Sequence, residues 1–126
     1  MNPEQYLLEI KSRLFASPVV NQVNIVEEYV LTDRGYFRAR LRLSNNDFLE
    51  VAEYFVEEDG DFHPARYRYQ WMDSAQEQLR KRWDNVEHFP DLPNFPYHVH
   101  VGSESQVEPG SPLKIIDLIE MLESLL

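Results

Sequence analysis

The stretch that decides the fold is Tyr36-Phe37-Arg38-Ala39-Arg40-Leu41-Arg42-Leu43. Phe37, Ala39, Leu41 and Leu43 take every second position and Arg38, Arg40 and Arg42 the positions between, which is the period of a strand with one face on a core. Working outward, Val23, Ile25, Tyr29 and Leu31 alternate in the same way, and residues 48–56, 63–72 and 78–83 continue the series with aromatic and β-branched side chains. The connectors Asp33-Arg34-Gly35, Ser44-Asn45-Asn46-Asp47, Glu58-Asp59-Gly60-Asp61 and Asp73-Ser74-Ala75-Gln76 are short and turn-forming. Short turns make neighbours antiparallel, so the pattern predicts a meander of about five strands. The last of them is the least strand-like, because residues 76–82 also contain good helix formers.

The period changes to 3.6 at both ends. Asn2 is placed to cap a helix, Pro3 to open it, and Tyr6, Leu7, Ile10 and Leu14 share one side as far as about Phe15, where Ser17-Pro18 stops it. Ser111-Pro112 repeats the cap-and-proline start, followed by a stripe of Ile115, Leu118, Ile119, Leu122 and Leu126. The expected fold is therefore α+β: an antiparallel meander with the N- and C-terminal helices packed on one face, as a single domain over residues 1–126.

With 126 residues, 43% hydrophobic and 13% aromatic, the chain can fill one core. It has no cysteine, which excludes disulfides, thiolate catalysis and Fe–S clusters, and leaves any metal to His, Asp or Glu. The first residues do not read as a secretory signal and no span has the roughly 20 apolar residues of a membrane helix, so a cytoplasmic protein without a membrane partner is expected. The net charge of -10 counts against non-specific nucleic-acid binding. The acids are unevenly spread, however: residues 34–82 hold 9 acidic and 9 basic side chains, and residues 83–126 hold 8 and 1. Screening over about 8 Å lets an arginine surface act locally.

Strand parity sorts the arginines. Arg38, Arg40 and Arg42 share a face, Arg66 and Arg68 lie opposite Tyr67 and Tyr69, and Arg80 and Arg82 lie opposite Leu79 and Trp83, which predicts seven arginines on one sheet face. Neighbours at i and i+2 are about 6.7 Å apart, so each guanidinium can meet its own phosphate, and RNA is the expected ligand. The competing expectation is ion pairing with Glu50 or Glu53, which have opposite parity, so only one of them can reach that face.

Residues 85–112 contain Pro90, Pro93, Pro96, Pro109 and Pro112 and are expected to form a long irregular loop. That loop holds three of the four histidines, His88, His98 and His100. His63, before a proline at a turn, is expected to be a surface residue.

The run Tyr67-Arg68-Tyr69, then Arg82-Trp83-Asp84-Asn85, then His88, a proline-rich turn and His98-Val99-His100 before Val101-Gly102, resembles the TumE family of toxins from prokaryotic toxin–antitoxin pairs. The likeness spans the chain and is specific from about Tyr67 to Gly102. The family has two adjacent histidines where this chain has His88-Phe89. The resemblance implies a toxin with a cognate antitoxin, and leaves its reaction open.

The residues themselves suggest a chemistry. RNA cleavage by the 2′-hydroxyl needs a base, an acid and a cation at the crowded phosphate, and His88, His98, His100 and Arg82 can supply them without a cofactor, with Asp84 orienting a histidine. Tyr67 or Tyr69 is a further possible donor, although their parity points to packing in the core. One alternative is a site for zinc or another divalent cation, in which His88 or Asp84 completes a set with His98 and His100 for metal-assisted hydrolysis. Another is a non-catalytic partner-binding module, with the histidines only shaping the loop and the arginines docking an acidic protein. Met121, Leu125 and Leu126 widen the last apolar stripe, which suits either a monomer core or a homodimer.

Overall fold

Asn2 Oδ1 accepts the Gln5 N–H at 2.8 Å while Gln5 Oε1 accepts the Asn2 N–H at 2.9 Å, a reciprocal cap that opens α1 (Pro3–Ala16) where the sequence predicts it. The computed structural model describes all residues, 1–126. After α1 the chain runs through β1 (Val20–Val30), β2 (Arg34–Leu43), β3 (Phe48–Glu58), β4 (Asp61–Met72), β5 (Leu79–Asp84), β6 (His98–Val101) and β7 (Val107–Pro109), and closes with α2 (Ile115–Leu125). The strands form one sheet in chain order, with every neighbour antiparallel.

Phe37, Ala39, Leu41 and Leu43 of β2, Leu49, Val51 and Phe55 of β3 and Tyr67 and Tyr69 of β4 are buried in one core with Tyr6, Ile10 and Leu14 of α1 and Ile115, Leu118, Ile119 and Leu122 of α2. Both helices therefore cover the apolar face. They lie side by side, joined by Arg13 to Glu120 at 3.1 Å and by the Ser17 hydroxyl to Glu123 at 2.7 Å. The other sheet face carries the even-numbered residues of β2 and β3 and has no helix on it.

The sheet has seven strands where about five are expected. The two additional strands hold only four and three residues and lie among prolines, too short for periodicity to declare them. Pro109 is tolerated because β7 is the outer edge, where a missing N–H breaks no ladder. The predicted loop over residues 85–112 is thus interrupted: His98 and His100 stand on a strand.

The start of α2 also differs. Ser111-Pro112 does not open the helix, because Tyr67 Oη donates to the Ser111 carbonyl at 3.2 Å and Tyr69 Oη to the Leu113 carbonyl at 2.8 Å, holding this segment against the sheet. The helix begins at Ile115, whose N–H donates to Glu53 Oε1 at 2.9 Å. A side chain of β3 thereby takes the place of the N-cap.

Glu53 is the buried member of the pair of glutamates, facing the core between Val51 and Phe55. Tyr6 Oη donates to Glu53 Oε2 at 2.6 Å and Tyr69 Oη lies 2.9 Å from Oε1. Burial pushes the Glu53 carboxyl above the ordinary glutamate value, against the hydrogen bonds it accepts from Tyr6 and the Ile115 N–H. Burial also raises the Tyr6 and Tyr69 hydroxyls, so both remain protonated. Tyr69 has one proton, and the Leu113 carbonyl can only accept it. A protonated Glu53 completes the set by donating to the Tyr69 oxygen.

Gly35 allows β1, β2 and β3 to pack closely. A Cβ at this position would lie 2.4 Å from Phe55 Cζ and 2.8 Å from the Tyr29 carbonyl oxygen. Gly35→Ala is expected to lower stability by about 1–3 kcal/mol through overpacking, measured by urea unfolding; an unchanged midpoint would show that Phe55 moves aside freely.

Candidate functional site

Strand register lines up residues on the helix-free face. One row runs Arg40, Glu50, Gln70, Arg82, His100 across β2 to β6, and the next runs Arg38, Ala52, Arg68, Asp84, His98. Pairing alone thus carries two histidines, an aspartate and an arginine to one end of the arginine face. They are buried there, although no helix covers them: Arg82 is 9% exposed, Asp84 3%, His98 3% and His100 4%. The loop 85–97 folds over them, with the Phe89 ring 4.9 Å from the His98 ring and 5.9 Å from that of His100.

Asp84 is the hub. His98 Nε2 is 2.8 Å from Asp84 Oδ1 and His100 Nε2 is 3.7 Å from Oδ2. Arg82 Nε donates to Oδ2 at 3.3 Å and the Val86 N–H to Oδ1 at 3.1 Å. The far side of each imidazole is fixed by backbone: His98 Nδ1 lies 3.0 Å from the Pro96 carbonyl and His100 Nδ1 2.9 Å from the Glu104 carbonyl. A carbonyl can only accept, so both Nδ1 atoms carry hydrogen and both Nε2 atoms face Asp84. Arg82 makes a two-pronged contact with the Glu104 carboxylate and reaches Gln70 Oε1 at 3.4 Å. The bonds to Glu104 raise the Arg82 pKa further, and the same bonds hold the Glu104 carboxyl below its ordinary value. No buried side-chain polar atom lacks a partner.

Of the residues proposed from sequence, the structure brings together Arg82, Asp84, His98 and His100. It does not bring in His88, which is exposed on the covering loop with its ring against Phe89. Asp84, His98 and His100 each offer an atom for a metal ion, all within 4.8 Å of one another, so Asp84 and not His88 is the third member of that set. Tyr67 and Tyr69 are stacked in the core and take no part. His63 is exposed, as expected.

The arginine face is more heavily paired than parity suggests. Glu50 lies between Arg38 at 3.2 Å and Arg40 at 2.9 Å. Burial pushes Glu50 up, and the bonds from Arg40 and Arg38 outweigh it and hold its carboxyl below the usual range. Arg42 donates to the carbonyls of Asn46 and Ser74 and lies over Phe48. Arg80 leaves the row at the bulge between Trp71 and Met72 and pairs with Asp47, which also accepts the Trp71 indole N–H. Arg68 bonds only the neutral Gln70, and Arg66 makes no ion pair. The predicted surface of seven phosphate-binding arginines reduces to Arg66 and Arg68, with Arg38 and Arg40 sharing one carboxylate.

Sequence reasoning missed Glu104, Gln70 as a site residue, and Phe89. Glu104 sits in the β6–β7 turn, where no period marks it, and only the β5–β6 register shows that it faces Arg82. Phe89 carried one signal, its place beside His88 in a proline-rich run.

The fold and site define a small α+β protein that presents a covered Arg–Asp–His–His cluster at one end of an open antiparallel sheet. The family model described as Toxin TumE matches residues 10–125, and the chain belongs to the TumE toxin family. Membership of a toxin family implies a cognate antitoxin. No curated protein and no solved structure matches the chain. No helix is long and apolar enough to cross a membrane.

Proposed function

We propose that this toxin acts on RNA and cleaves it at the Arg82, Asp84, His98 and His100 cluster by metal-independent acid–base chemistry. The observation that carries this reading is the shared carboxylate: two imidazoles with fixed tautomers and one guanidinium meet at Asp84. His98, held at Nδ1 by the Pro96 carbonyl and with Nε2 2.8 Å from Asp84, is the acid for the leaving 5′-oxygen. His100, farther from the carboxylate, is the base for the 2′-hydroxyl, and Arg82 stabilises the charge that builds on the phosphate. Substrate reaches these rings only when the loop lifts Phe89.

The second reading is a divalent cation held by Asp84, His98 and His100. It has its own support, since donation of Nδ1–H to a backbone carbonyl is how metal-binding histidines are oriented. Against it, Arg82 already places a fixed positive charge 3.3 Å from the same carboxylate. The deciding experiment incubates purified protein with total cellular RNA, with and without EDTA, alongside His98→Ala. The expected result is cleavage that survives EDTA and falls at least about 100-fold in the variant. Loss of cleavage in EDTA selects the metal, and equal cleavage by His98→Ala overturns the cluster as the active site.

A further inference from the structure

On the helix-free face, beside the arginine rows, lies a row of tyrosines. Tyr29 of β1, Tyr36 of β2, Tyr54 of β3 and Arg66 of β4 pair in register as successive neighbours. A bulge makes this possible: between Ile25 and Glu27 the β1–β2 register shifts by one residue, so that Ile25 pairs Ala39 while Tyr29 pairs Tyr36 and leaves the face that alternation predicts it to share with Val23 and Ile25. Three phenol rings therefore stand on three adjacent strands with a guanidinium at the end of the row. Tyr29 and Tyr36 stack at 5.7 Å, and Arg34 steadies Tyr54 by donating to its hydroxyl at 3.2 Å. Tyr29 is 40% exposed.

These residues line an open groove of about 560 Å³, whose one acid is Glu27. A second groove of about 580 Å³ shares Ala65 and Arg66 with the first and continues along Asn85, Val86 and Pro96, with Glu87 as its one acid. Two of these residues hold the covered cluster: the Val86 N–H bonds Asp84, and the Pro96 carbonyl bonds His98. The two grooves run from the tyrosines, past Arg66, to the margin of the Phe89 loop. Arg68 lies two residues farther along β4, in register with Asp84.

Aromatic rings on an exposed sheet next to a guanidinium without an ion-pair partner match the chemistry of a nucleobase beside a phosphate. The bases must be unstacked to reach the rings, which selects single strands over duplex. A protein surface would need an acidic partner for Arg66 and has no use for a path that ends at the cluster.

We infer that Tyr29, Tyr36, Tyr54 and Arg66 form a base-stacking subsite that leads single-stranded RNA to the Asp84, His98 and His100 cluster. This rests on the RNA reading above. It is tested by fluorescence anisotropy with a labelled single-stranded RNA oligonucleotide and its duplex, on the full chain and on Tyr36→Ala, Tyr54→Ala, Tyr36→Phe and Arg66→Gln, with cleavage of unlabelled RNA measured in parallel. Each alanine variant is expected to weaken single-strand binding by roughly 5- to 100-fold. Tyr36→Phe should bind as wild type, since the ring face does the work. Arg66→Gln should reduce the slope of log affinity against log salt by about one. Wild-type preference for duplex, or alanine variants that bind and cleave as wild type does, overturns the subsite and leaves the proposed cleavage standing. A wild type that neither binds nor cleaves RNA overturns both. Alanine variants that lose the cognate antitoxin while keeping RNA affinity also overturn it, and assign the row to the protein partner.

Discussion

Replacing Asp84 by alanine is expected to destabilise the fold by about 3–5 kcal/mol, measured by urea unfolding, because it removes the one carboxylate on which His98, His100 and Arg82 converge. The loss falls on groups that cannot reach water. His98 is 3% exposed and His100 4%, and the Val86 N–H loses its acceptor as well. Arg82 suffers least, since Glu104 still holds it from the β6–β7 turn. Asp84→Asn keeps the shape and an oxygen for Val86 while losing the charge, so its stability should fall between wild type and alanine. A loss below about 1 kcal/mol in Asp84→Ala would show that the cluster is not the closed arrangement described. The same pair of variants separates structure from chemistry. If Asp84 serves as proposed, Asp84→Asn loses RNA cleavage along with Asp84→Ala although much of its stability remains, whereas a purely structural carboxylate gives cleavage that follows the folded fraction.

The long periods were readable and the short ones were not. β2 alternates over ten residues, which fixes both its state and its buried face. β6 and β7 have four and three, below the length at which alternation differs from chance, so periodicity leaves the histidines on a loop. Parity sorted Arg38, Arg40, Arg42, Arg66, Arg68 and Arg82 correctly, but it cannot foresee a bulge, and the bulge at Trp71 and Met72 took Arg80 to Asp47. Nor can it name partners distant in sequence: Glu104 lies 22 positions from Arg82. Arg82, Asp84, His98 and His100 were legible as residue types suited to proton transfer. Their meeting at one carboxylate depends on the β5–β6 register, which pairs Arg82 with His100 and Asp84 with His98. The tyrosine row depends on register in the same way, as Tyr29, Tyr36 and Tyr54 come from three separate strands.

Glu53→Ala is expected to cost about 3–5 kcal/mol of stability, for a reason on the opposite face of the sheet. Three elements meet at this carboxyl: Tyr6 from α1, Tyr69 from β4 and the first N–H of α2. Alanine leaves the Tyr6 hydroxyl and the Ile115 N–H buried without acceptors, at about 1–3 kcal/mol each, and opens a cavity where the side chain was. Tyr69 is spared because it still donates to Leu113. Glu53→Gln should cost less, since an amide keeps the acceptor for Tyr6 and, in place of the carboxylic O–H, a donor to Tyr69, and leaves only the Ile115 N–H without its acceptor. The comparison also carries a pH signature. A glutamate whose pKa is raised in the fold binds more protons folded than unfolded, so its contribution is complete below the ordinary glutamate range and declines as pH rises toward the raised value. Glutamine does not titrate. The stability of wild type relative to Glu53→Gln should therefore fall as pH increases above that range, opposite in sign to the contribution of Glu104, whose lowered carboxyl adds stability as pH rises. Urea unfolding of both proteins from acid to neutral pH measures the difference directly. A flat difference would mean that Glu53 is ionised in the fold at no cost, and that the two tyrosines and the α2 N-terminus hold a carboxylate in place of a carboxylic acid.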